Sequence, residues 1–155
     1  MKIMFVCLGN ICRSPTAHAI AQKRAVEQGL TYISFSSSGT SGYHVGEHPD
    51  KRAIAHGAQH GYDLSRLTAQ RLTQDDFYEQ DLLLTMDDQN YQDVLAMKPA
   101  DATAIVKRLL DYHPDPELTQ VPDPYYGGNA GFDTVVAICE TAIDAMLDQI
   151  DNKQR

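Results

Sequence analysis

The stretch that most restricts the fold is the N-terminal Met1–Pro15, where the apolar run Ile3–Val6 stops at Cys7 and a short loop leads to Arg13-Ser14-Pro15. An apolar run of strand length, closed by a Gly-Asn pair, reads as a buried strand. Ser14 is suited to cap a helix and Pro15 to fill its first position. A strand, a tight loop and a helix N-terminus in that order aim backbone N–H groups and a helix dipole at one point, which favours an anion. The same field stabilises a thiolate. The residues therefore predict a phosphate-binding loop with a nucleophilic sulfur, Cys7, in its floor.

The rest of the chain alternates in type. Thr16–Gln28 reads as a helix with Ala17, Ile20, Ala21 and Ala25 on one face, closed by Gly29. His18 is expected to be a partly exposed helix residue and not a ligand. Tyr32–Ser38 alternates like a second strand. Gly39–His48 is a loop of small residues in which Tyr43 either walls a cleft or packs on the surface. Pro49 opens a helix to about Gln59. It carries His56 and His60 one turn apart, but no neighbouring acidic residue or cysteine completes a metal site. Leu64–Asp76 is expected to be turns and a short helix. Asp81–Met86 is a third, buried strand with Asp87 at its carboxyl end, and Asp88–Met97 is a helix. Ala104-Ile105-Val106 marks a fourth strand. Prolines through His113–Gly128 forbid helix interior or central strand there. Thr134–Ile150 is an amphipathic final helix, with Cys139 as a buried, inert thiol.

Strands alternating with helices imply an α/β fold with a parallel sheet and right-handed crossovers. The 155 residues, 43% of them hydrophobic, suit a single domain over 1–155. In such sheets ligands bind outside the carboxyl ends of the strands. Cys7, Ser38-Gly39 and Asp87 fall at such ends, and the segment carrying Asp123 follows the fourth strand to the same rim. The chain has 21 acidic against 13 basic residues, a formal charge of −8. Nucleic acid and anionic membrane are poor partners for that surface, so an anionic substrate must be drawn in locally, by the loop and Arg13. Met1–Leu8 is too short for a signal peptide and no run reaches membrane-spanning length, which predicts a cytoplasmic protein. In that compartment Cys7, Cys12 and Cys139 are expected as thiols.

Cys7 and Arg13 are separated by five residues. From that spacing the thiolate can attack phosphorus from below, while the N–H groups of Leu8, Gly9, Asn10, Ile11, Cys12, Arg13 and Ser14 hold the non-bridging oxygens. The Arg13 guanidinium offers a planar fork for two of them. Ser14 can donate to the sulfur, and Gly9-Asn10 suits a loop that needs positive φ. The chemistry is a phosphocysteine intermediate followed by hydrolysis, with no metal or cofactor. A leaving group of this kind needs an acid. Asp87, Asp115 and Asp123 are candidates, with Asp123 favoured because Tyr125 and Tyr126 follow it and can grip an aromatic substrate.

Val6-Cys7-Leu8-Gly9-Asn10-Ile11-Cys12-Arg13-Ser14-Pro15 and Asp123-Pro124-Tyr125-Tyr126-Gly127-Gly128 resemble the low-molecular-weight protein tyrosine phosphatases. Ser38-Gly39-Thr40, Asp76-Phe77, Asp81 and Met86-Asp87 with Asn90 resemble the family in the expected order, so the likeness runs the length of the chain. It implies the phosphotyrosine phosphatase I-like fold, a four-stranded parallel sheet flanked by helices on both faces. It implies Cys7 as nucleophile, Arg13 as phosphate clamp and Asp123 as general acid. Asn10 and Ser14 would order the loop, and Leu8, Tyr43, Tyr125 and Tyr126 would line the cleft. Cys12 would be a backup thiol able to form a reversible disulfide with Cys7. Tyr43 stands where the family often has tryptophan, which bears on substrate preference. Protein-arginine phosphatases resemble the chain except for a threonine at the place of Ile11, so Ile11 favours phosphotyrosine. Arsenate reductases of this fold need a second cysteine pair, and only Cys139 remains. The implied partner is a phosphotyrosine-containing protein, a bacterial tyrosine kinase or a host protein, for a monomer or weak dimer.

Overall fold

A computed structural model describes residues 1–125 and 128–154. In chain order the elements are β1 (Lys2–Cys7), α1 (Arg13–Glu27), β2 (Ser34–Gly39), α2 (Lys51–Gln59), α3 (Asp76–Glu79), β3 (Leu82–Thr85), α4 (Asp88–Met97), β4 (Ile105–Arg108), a 3-10 turn at Leu109–Tyr112, and α5 (Asn129–Gln154). The four strands form one sheet in the order β2-β1-β3-β4. All pairs are parallel, with Cys7 beside Gly39, Val6 beside Thr85, and Thr85 beside Arg108. Every strand therefore ends at the same rim, and the loops that follow converge there.

The apolar runs explain the layers. Successive side chains on a strand face opposite sides. Ile3 and Phe5 of β1 join Leu82 and Leu84 of β3 in a core shared with α1 and α5. Met4 and Val6 join Leu83 on the other side, with Leu72, Phe77 and Val94. Helices thus cover both faces, and the two central strands are continuous apolar runs because neither side is wet. Strand β4 is an edge. Ile105 is exposed and Lys107 and Arg108 follow it, charges that discourage pairing with another chain.

Several boundaries differ from the sequence expectation, among them three near the site and the chain ends. β2 begins at Ser34 and not Tyr32, because the chain is still turning after Gly29, at φ +71°, and Tyr32 is solvent-exposed. Helix α1 begins at Arg13 with Cys12 as its N-cap, and no side chain caps it. The Ser14 hydroxyl is used elsewhere, as described below. Helix α5 begins at Asn129, ahead of Thr134. Cys139 is fully buried in α5, and burial pushes its thiol up to about 12.

His18 on α1 is partly buried and sits 3.3 Å from the Ser37 hydroxyl. Burial pushes its pKa down from 6.5 to about 4, against a backbone hydrogen bond at Phe35 that raises it. The unfolded chain therefore takes up a proton before the folded one as pH falls. The contribution is present in full above pH 6.5 and is lost as pH falls from 6.5 to about 4. His18→Gln should flatten that limb by one proton's slope, read as urea midpoints across the window.

Candidate active site

The loop between β1 and α1 is built around one left-handed residue, Asn10, at φ +57°. Asparagine tolerates that region better than most residues. The turn aims the Asn10 N–H at Cys7 Sγ, 3.2 Å away. The Asn10 amide donates to Ser14 Oγ at 2.7 Å, and Ser14 Oγ lies 3.0 Å from Cys7 Sγ. With its oxygen taken by Asn10, Ser14 has its own proton free for the sulfur; the Ser38 carbonyl, at 3.4 Å, is the longer alternative. Asn10 Oδ1 in turn accepts from the Gln70 N–H at 2.9 Å. Gln70 lies far along the chain, in the Leu64–Asp76 stretch expected to be turns and a short helix.

Strand β2 seats this loop. The N–H groups of Thr40 and Ser41 donate to the carbonyls of Cys7 and Leu8, both at 2.9 Å. Gly39 makes this approach possible. A Cβ there would stand 2.7 Å from the Leu8 carbonyl oxygen, 3.0 Å from Gly9 C and 3.1 Å from Asn10 N. All three are backbone atoms with little room to move.

Arg13 is 3% exposed. Nη1 donates to Asp87 Oδ2 at 2.6 Å and to the Val121 carbonyl at 3.1 Å, and Nη2 is 3.7 Å from Asp123 Oδ2. Burial opposes its charge, but Cys7, Asp87 and Asp123 outweigh that and raise its pKa. Asp87 is doubly engaged, because Oδ1 accepts the Asn90 N–H at 2.7 Å and caps α4. Asp115 folds onto its own turn, accepting from the Glu117 N–H at 3.0 Å, and lies outside the cleft. Asp123 is the one carboxylate among the described residues lining the cleft. Oδ1 accepts the Tyr125 N–H at 3.0 Å, which leaves Oδ2 toward Arg13.

The cleft holds about 260 Å³ and brings together Cys7, Leu8, Gly9, Ile11, Cys12 and Arg13 with Tyr43, Asp123 and Tyr125. Leu8 and Tyr125 are part-exposed rim residues, and Tyr43 is 90% exposed, a free-standing wall. Tyr126 falls outside the described residues. Cys12 lines the same cleft but is buried, and its thiol is pushed up to about 12, first by burial and then by Asp50 and Cys7. The sequence reading missed two further lining residues, Ser41 and His44. His44 pairs through Nδ1 with Glu47 at 2.7 Å. It also missed the partner of His56 and His60. Both rings reach Asp133 Oδ1, at 2.9 and 3.2 Å, from a residue at the far end of the chain.

Residues 2–155 match the family model described as low molecular weight phosphotyrosine protein phosphatase. A protein of Synechocystis sp. is 44% identical over 149 residues, 95% of this chain and 94% of its own length. A crystal structure of a protein tyrosine phosphatase from Entamoeba histolytica superposes with a TM-score of 0.94 at 35% identity, covering 100% of this chain and 99% of that one. A Drosophila arginine phosphatase superposes with a TM-score of 0.92 at 28% identity, covering 97% and 98%.

Gly39→Ala tests the seating of the loop. Its methyl must displace backbone, so the unfolding free energy should fall by about 1–3 kcal/mol. Activity should fall further, by roughly 100-fold in kcat/KM, as a misplaced reacting group does. Calorimetry and steady-state kinetics on the same protein check both.

Proposed function

The chain belongs to the low molecular weight phosphotyrosine protein phosphatase family, and on that premise we propose that Cys7, Arg13 and Asp123 carry out phosphotyrosine hydrolysis. The observation that supports this is their convergence in one cleft, with sulfur, guanidinium and carboxylate contributed by separate segments of the rim. Cys7 Sγ attacks phosphorus; the S–P bond forms and the bond to the tyrosyl oxygen breaks. Asp123, entering as the carboxylic acid, gives its proton to that leaving oxygen. In the second step the Asp123 carboxylate takes a proton from water, the oxygen attacks phosphorus, and S–P cleavage returns the thiolate and releases inorganic phosphate. The N–H groups of the phosphate loop and the Arg13 fork meet the charge on the transferring group. Asp87 holds Arg13 in place. Asn10 and Ser14 stabilise the departing sulfur. Leu8, Tyr43 and Tyr125 flank the substrate ring.

Ile11 lines the cleft with an apolar side chain, and this supports phosphotyrosine over phosphoarginine. Arsenate reduction by disulfide shuttling is disfavoured by Cys139, which is sealed in the core. We assign Cys12, which lines the same cleft, as the thiol that forms a disulfide with an oxidised Cys7. The substrate is a phosphoprotein, and we assign it to an autophosphorylated tyrosine kinase or a host protein met in the cytoplasm. No described helix is long and apolar enough to cross a membrane.

Cys7→Ser should abolish turnover while inorganic phosphate still binds. Asp123→Ala should lower kcat/KM for phenyl phosphate by roughly 100- to 10,000-fold and spare esters with good leaving groups. A parallel assay on a phosphotyrosine peptide, phosphoarginine, and arsenate with thioredoxin decides the substrate class. Turnover of phosphoarginine alone would overturn this reading.

A further inference from the structure

We propose that Arg52 is a positioning residue for Asp123, tying the acid loop to the phosphate loop through Asp50. The inference rests on the reading of Asp123 as the general acid. Arg52 does not line the cleft, so it acts through the loops.

The connection is a continuous run of hydrogen bonds. The Asp50 N–H donates to the Ile11 carbonyl at 2.8 Å, which fixes Asp50 to the phosphate loop. The Asp50 carboxylate caps α2 by accepting the Arg52 N–H at 2.8 Å. It also receives the Arg52 fork, Nε to Oδ1 at 3.1 Å and Nη2 to Oδ2 at 3.0 Å. The same Nη2 donates to the Tyr125 carbonyl at 3.1 Å. Tyr125 then donates its N–H to Asp123 Oδ1 at 3.0 Å. Both oxygens of Asp50 and two nitrogens of the guanidinium, Nε and Nη2, are used. Lysine, a single point charge, cannot reproduce that arrangement.

The guanidinium is also oriented from its face. Its carbon lies 4.9 Å from the centroid of Phe132 and 5.4 Å from that of Tyr125. Phe132 is buried and stacks with His56, at 5.5 Å between ring centroids and 12° between planes. The acid loop is thereby held on both sides of Asp123. Two residues before it, the Val121 N–H donates to the Met86 carbonyl at 2.7 Å. Two residues after it, Tyr125 is held by Arg52. The first anchor belongs to the sheet. The second, Arg52, relays the position of the phosphate loop itself, so the proton donor and the sulfur are placed by one linked set of contacts.

The test compares wild type, Arg52→Met, Arg52→Lys, Asp123→Ala and the double variant Arg52→Met/Asp123→Ala. The substrates are dinitrophenyl phosphate, whose leaving group needs no proton, and phenyl phosphate, whose leaving group does. Arg52→Met should lose about tenfold in kcat/KM on phenyl phosphate, the scale of a modest misplacement. It should keep its value on dinitrophenyl phosphate and its inhibition constant for inorganic phosphate. Arg52→Lys, which keeps the charge without the fork, should show the same pattern to a smaller extent. The double variant should be no slower than Asp123→Ala alone. Equal loss on both substrates, weakened phosphate inhibition, or an additive double variant would overturn the positioning role. A flat response of Asp123→Ala across the two substrates would instead overturn the acid assignment beneath it.

Discussion

The contact on which the site depends is the ion pair between Arg13 and Asp87, 2.6 Å apart with Arg13 almost wholly buried. Taking a guanidinium out of water costs several kcal/mol, and the cost is offset only when its donors are met. Asp87 and the Val121 carbonyl meet Nη1. Nη2 has the looser 3.7 Å approach to Asp123, and Arg13 lines the cleft. One side chain on the first turn of α1 thereby joins the end of β3, the start of α4 and the acid loop. Asp87 serves two roles with its two oxygens, holding Arg13 and capping α4. Its placement follows from the parallel sheet, which ends β1 and β3 side by side.

The three thiols show how one residue type is separated into different chemistries by surroundings. Cys12 and Cys139 are both pushed up to about 12, in each case chiefly by burial. Cys7 is as poorly exposed, but it has the Asn10 N–H and the Ser14 hydroxyl directed at its sulfur and Arg13 nearby. The chain carries a formal charge of −8, so this local arrangement, and not the global field, must hold an anionic group.

What could be read from the sequence was local or periodic. Cys7 and Arg13 could be read together because they share one short loop between a strand and a helix start. The strand ends were legible because apolar runs stop abruptly, which put Asp87 at the right rim. The pairing of Asp87 with Arg13 was not, since nothing in spacing links residues that far apart. Ser14 is expected from sequence both to cap α1 and to meet the sulfur; its hydroxyl lies 3.0 Å from Cys7 Sγ and accepts from Asn10, and the cap position falls to Cys12. Gln70, Arg52 and Asp133 were invisible for the same reason as the ion pair. Each sits in a segment whose composition suggests only surface, and each gains its role from tertiary proximity.

The loop carrying Asp123 shows how a segment with no regular structure can still be precise. Asp123 lies between Pro122 and Pro124. A following proline biases it away from helical conformations, and the prolines fix their own φ, so less backbone entropy is lost on ordering the segment. Few contacts are then needed to hold it. The Val121 N–H on the Met86 carbonyl fixes one side, Arg52 Nη2 on the Tyr125 carbonyl fixes the other, and Pro124 lies near Gly131 of α5. The Tyr125 N–H occupies one oxygen of Asp123, which fixes the rotation of the carboxylate and presents the other oxygen to the cleft. Regular structure would give the loop more hydrogen bonds but would turn Asp123 with the period of a helix or strand. Prolines and a few long-range anchors let the carboxylate be aimed by the neighbouring loops it has to work with.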